Sequence, residues 1–131
     1  MSSQNLDQLC AQFGYRIAEQ TKQAFGKASD SENHITKSLG VLQEDGVYAF
    51  FLYQKSRKKD GANKCIEQAH ELLKQARIRP FDSQTDSLLA VRGDKAKNLE
   101  GLAEHLDELL LAKRLLEQAL IYARYHAKAL E

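Results

Sequence analysis

The chain has 131 residues, 43% hydrophobic and 28% charged, enough apolar surface for one core and too little charge imbalance for a disordered chain. A single Pro, no Trp and only two cysteines exclude a disulfide framework or zinc module and favour an all-α fold. No stretch approaches the roughly 20 apolar residues of a membrane helix, and MSSQNLDQLC has neither a basic n-region nor an apolar h-region. The expectation is one helical domain over residues 1–131, cytoplasmic and without contact with a membrane.

Net charge is +1, but it is unevenly placed. Residues 1–52 carry four Lys/Arg against six Asp/Glu, residues 53–97 eleven against six, and residues 98–131 four against six. A basic middle third raises the question of an acidic partner.

In chain order, residues 5–27 read as a first helix, because Leu6, Leu9, Cys10, Phe13, Ile17, Ala24 and Phe25 recur at three- and four-residue steps. Gly26 weakens its end. Ser29 and Glu32 have capping-box spacing, so a second helix is expected from about residue 30, with Ile35, Leu39 and Leu42 on its inner face. Residues 47–53, VYAFFLY, fit a strand as well as a helix locally. No second strand-like run exists to pair with, and a lone strand leaves its backbone groups unsatisfied. A buried helix is therefore expected, with Val47, Phe50, Phe51 and Gln54 on one face and Tyr48, Leu52 and Tyr53 beside it.

Asp60-Gly61 reads as a turn. A fourth helix then carries Cys65, Ile66, Ala69, Leu72, Leu73 and Ala76, and must stop by Arg79 because Pro80 follows. Residues 80–94 hold at most a short helix, with Ser83 and Asp86 at cap spacing and Gly93 at its end. From Lys95 onward only Gly101 interrupts an apolar stripe running to Leu130. A continuous helix of about 36 residues spans roughly 54 Å, so it kinks or extends beyond the body. The sum is a compact bundle of five to six helices with a long C-terminal one.

No catalytic or metal constellation emerges. The di-iron bundle motif needs Glu-x-x-His twice, and Glu67-Gln68-Ala69-His70 occurs without a second copy. No glycine loop, nucleophile–base spacing or cofactor signature is present, so neither enzyme activity, nor a cofactor, nor a small-molecule substrate is expected. Cys10 and Cys65 fall within apolar stripes and read as buried structural thiols.

The distinctive feature is QKSRKKDGANK, residues 54–64. Lys55, Arg57, Lys58 and Lys59 are four cations in five residues, more than compensation of a helix dipole requires. Lys64 adds a weaker candidate. Lys74, Arg77, Arg79, Arg92, Lys95 and Lys97 extend the excess. Spread Lys/Arg suits a sequence-nonspecific nucleic-acid surface, although from charge alone a solvated basic face weighs equally. A helix-turn-helix is excluded, because VYAFFLY has no polar face to offer a groove.

The order of features resembles the small subunit of type III-B CRISPR–Cas effector complexes, the Cmr-module small subunit family. The family's Gly step, apolar helix and following Lys have a counterpart in Asp45-Gly46-Val47-Tyr48-Ala49-Phe50-Phe51-Leu52 with Lys55. RLLEQALIYARYHAKAL, residues 114–130, resembles the family's closing aromatic–basic–alanine run, though without its closing Trp. The similarity covers about residues 33–59 and 100–131, and the type III-A small subunit shares the same build. It implies an antiviral-defence role without catalysis: copies stack as a minor filament against backbone subunits and help to hold guide and target RNA. Under that reading Lys55, Arg57, Lys58, Lys59 and Lys64 contact RNA. The alternative is a helical protein-interaction adaptor with no nucleic-acid role, whose basic face docks an acidic partner.

Overall fold

The computed structural model describes residues 5–77 and 106–130, with side chains over 5–77 and 109–130. Five helices and no strand occur among the described residues, in an all-α bundle. The first, α1 (Leu6–Phe25), opens where the Asn5 side-chain oxygen accepts from the Gln8 N–H at 3.0 Å. It closes at Gly26, in the left-handed conformation at φ 88°, as the cap chemistry of Asn and Gly dictates.

The next helix, α2 (Ala28–Asp45), starts about two residues earlier than expected. Its N-cap is Lys27, with no side-chain hydrogen bond, so the Ser29–Glu32 capping box is not formed. Ala28 is buried at 9% exposure, and this packing sets the helix start ahead of the local capping signal. Gly46, at φ 96°, turns the chain directly into α3 (Val47–Arg57), whose buried residues are the expected Val47, Phe50, Phe51 and Gln54. An isolated helix of 11 residues is marginal in water. Burying Val47, Phe50 and Phe51, at about 1.5–3 kcal/mol each, holds this one in place.

The break after α3 also differs from expectation. It falls at Lys58, a non-glycine residue at φ 53° and ψ 39°, and not at Asp60-Gly61. Asp60 instead opens α4 (Asp60–Gln75), where its carboxylate sits at the positive end of the helix. Gly61 is buried under the Phe25 ring, where a Cβ would collide. The glycine serves a close approach between helices, which explains why its sequence context reads falsely as a turn. Helix α4 ends before the limit that Pro80 imposes.

The last described helix is α5 (Leu106–Ala129), 24 residues long, or about 36 Å. The short helix expected within residues 80–94, the cations Arg79, Arg92, Lys95 and Lys97, and the proposed start of the long helix at Lys95 lie outside the described residues. Helix α1 packs chiefly on α5 and α4, while α2 packs on α5 and α3. Gly14 permits the α1–α5 crossing: a Cβ there would stand 2.8 Å from the Ala119 carbonyl oxygen and 2.7 Å from Tyr122 Cβ. All five helices contribute to one core, centred on Phe13, Ile17, Leu42, Phe50, Leu72 and Leu116. No described helix is long and apolar enough to cross a membrane.

Candidate nucleic-acid interface

Helical phase sorts the residues of α3. With Val47, Phe50, Phe51 and Gln54 turned inward, Tyr53 and Arg57, four apart, share one flank. Lys55 and Tyr48 lie on the other, and Lys55 is about 160° around the axis from Arg57. The Arg57 guanidinium stands 5.8 Å from the centre of the Tyr53 ring, within cation–π range.

The Tyr53–Arg57 flank forms one wall of a cleft of about 290 Å³ between the ends of α1 and α3 and the first turns of α2. Its aromatic lining comes from three elements. Phe25 lies 5.2 Å from His34, and His34 lies 6.0 Å from Tyr53 with their planes 22° apart. Its cations are Lys37, Arg57 and Lys59, all exposed, and Asp30 and Asn33 stand at the same cleft.

The histidine at the base of the cleft is held by a closed chain of hydrogen bonds. His34 Nε2 meets Gln54 Oε1 at 2.6 Å, Gln54 Nε2 donates to Ser38 Oγ at 2.6 Å, and Ser38 Oγ donates to the His34 carbonyl at 2.7 Å. Because the Gln54 carbonyl faces the ring, Nε2 carries the proton. The side-chain polar atoms of Gln54 and Ser38 all have partners, which is what permits both residues to be fully buried. Burial pushes the imidazole below its ordinary value of 6.5. The Gln54 hydrogen bond works against that shift, and the charges of Arg57, Lys59 and Lys37 add to it. The ring is therefore neutral at pH 7, and the three cations act on one point from two sides.

The five cations singled out in the sequence are not brought together. Arg57 and Lys59 meet at the cleft, with Lys58 exposed between them in the chain. Lys55 is exposed on the opposite flank of α3. Lys64 belongs to a separate cleft between α1 and α4, alongside Gln20, Gln23, Asn63 and Gln68. There its Nζ lies 3.8 Å from Glu67, which offsets its charge.

Lys37 completes the cation set from α2 and was missed. Charge counted along the chain gives no sign that a lone lysine twenty residues before Arg57 faces the same space. The signal available was its placement on α2, three residues after His34 on the same side of the helix.

Other candidates resolve differently. Cys10 and Cys65 are buried, unbridged thiols. Burial, with a contribution from Asp7, pushes Cys10 up to about 11, and burial pushes Cys65 up to about 12. Both are held in the unreactive protonated form. Among the described residues no three His, Cys, Asp or Glu side chains gather as a metal site. Compared with protein-family models, with curated proteins and with solved structures, the chain matches none.

Proposed function

We propose that this chain is a non-catalytic small subunit of an RNA-guided type III CRISPR effector complex, and that it holds guide or target RNA by the phosphate backbone. One observation carries the reading. Lys37 from α2, Arg57 from the end of α3 and Lys59 from the link between α3 and α4 converge on a single cleft that contains one acid, Asp30. A face that needed charge only for solubility gains nothing from such convergence, because clustered like charges repel. A polyanion reverses the sign of that cost.

The resemblance over about residues 33–59 and 100–131 supplies the RNA and the partners. Copies of the chain and the complex's backbone subunits would cover apolar groups such as Leu110 and Tyr125, which are 57% and 63% exposed. Those same residues favour a second reading, an adaptor that docks an acidic protein and binds no nucleic acid.

The two readings separate in the native assembly. A tagged chain is purified from its own cells and the RNA bound to it is sequenced. Guide RNAs bearing CRISPR-repeat sequence, together with backbone subunits, are the expected result. An assembly of protein alone, or one holding only random cellular RNA, contradicts the proposal.

A further inference from the structure

Phosphate-backbone binding accounts for the three cations of the cleft but not for its rings. A surface that only tracks phosphates needs Lys and Arg on an open face. Here the cations rim a recess whose lining is aromatic. Phe25 at the end of α1 and Tyr53 on α3, each half-buried and so partly open, lie 5.2 Å and 6.0 Å from the buried ring of His34. The hydrogen-bonded loop through Gln54 and Ser38 fixes that ring, so the floor is preorganised.

We infer that the cleft between Phe25, His34 and Tyr53 is a single-nucleotide pocket. It takes one base against its aromatic lining and that nucleotide's phosphate between Lys37, Arg57 and Lys59. This rests on the RNA-binding reading above and adds the chemistry of the bound unit.

Three features agree with it. The volume of about 290 Å³ is at the lower edge of small-molecule sites, so it suits one nucleotide and not a stacked run. Stacking on aromatic side chains is how single-stranded RNA is gripped without regard to sequence, and Asn33 is the one side-chain amide of the lining that can hydrogen-bond a base edge. Asp30, the one acid of the cleft, weakens binding of a bare phosphate, yet its carboxylate can accept from ribose hydroxyls. A nucleotide is therefore favoured over a simple anion.

The test is an NMR titration of the isotope-labelled full chain with adenosine monophosphate, adenosine, inorganic phosphate and an oligoadenylate of about six nucleotides. Wild type is compared with Lys37→Ala, Tyr53→Leu and Lys64→Ala. Adenosine monophosphate is expected to shift the backbone amides of Asn33, His34, Lys37 and Tyr53. Lys37→Ala and Tyr53→Leu should each weaken both the nucleotide and the oligonucleotide at least about fivefold, and Lys64→Ala should weaken neither. Adenosine or phosphate alone should bind at least about tenfold more weakly than the nucleotide. Lys37 is exposed, so its variant keeps the test valid should Tyr53→Leu loosen the fold.

Phosphate binding as tightly as the nucleotide overturns the inference in favour of a plain anion site. Oligonucleotide binding that ignores both Lys37→Ala and Tyr53→Leu overturns it while leaving the RNA reading intact. Nucleotide binding without oligonucleotide binding supports the pocket and sinks the RNA reading, and binding of neither sinks both.

Discussion

At the scale of single residues, His34 carries the most consequence. It is buried, neutral and surrounded by Lys37, Arg57 and Lys59, with its titration pushed below 6.5. In the unfolded chain it protonates at its ordinary value, so below 6.5 the unfolded state takes up the proton first. The stability that depends on keeping this ring neutral is therefore complete above about pH 6.5 and is lost as the pH falls through the lowered folded-state value. Urea unfolding at about pH 7.5 and about pH 5.5 should show a lower midpoint in acid. His34→Gln, which retains an N–H for Gln54, should show a smaller difference between the two conditions. An equal acid sensitivity in both proteins would remove His34 from this role.

Little of this residue-level detail was legible in the sequence. Gln54 was placed on the buried face of α3, but its partners, His34 and Ser38, are 20 and 16 residues away. No local spacing announces such a pair. Two features of the basic segment were legible. Lys64 and Glu67 are an i,i+3 pair, the spacing at which helix surface charges meet. Lys55 and Arg57 are two apart, a spacing that forbids a shared helix face.

At the scale of elements, the apolar pattern was sufficient wherever packing decided the outcome. The inner face of α3 follows directly from Val47, Phe50, Phe51 and Gln54, and the absence of a pairing strand decided its type. Reading failed where a local signal competed with packing. Ser29 and Glu32 offered a cap, yet the burial of Ala28 set the start of α2. Gly61 offered a turn, yet it lies within α4 beneath Phe25.

Gly14 shows the same logic and can be tested by its sign. On helix propensity alone, Gly14→Ala stabilises an interior helical position by about 1 kcal/mol. At the α1–α5 crossing the added methyl meets the Ala119 carbonyl oxygen at 2.8 Å, and backbone cannot swing aside as a flexible side chain would. The net expectation is a loss of about 1–3 kcal/mol, read from chemical denaturation. A gain in stability would show that α1 and α5 are packed less closely than described.

For the whole molecule, the basic middle third pointed toward a polyanion, but the fold divides that charge. It directs Arg57 and Lys59 to one cleft, adds Lys37 from α2, turns Lys55 to another flank and sets Lys64 against Glu67. Composition and periodicity sufficed for an all-α bundle with a long last helix. The position of the charge could not be read in the same way, because it depends on how α2 and α3 cross. The function proposed here therefore stands on a cleft that exists only in three dimensions.

The direct measurement is the salt dependence of binding to single-stranded RNA, comparing wild type with the triple variant Lys37→Glu, Arg57→Glu, Lys59→Glu and with Lys64→Glu. Each phosphate contact on a single strand contributes about 0.7 to the slope of log affinity against log salt. The triple variant should bind more weakly, with a slope shallower by about two, while Lys64→Glu keeps the wild-type slope. An unchanged slope in the triple variant, or an equal loss in Lys64→Glu, would contradict the assignment of the cleft as the place where RNA is held.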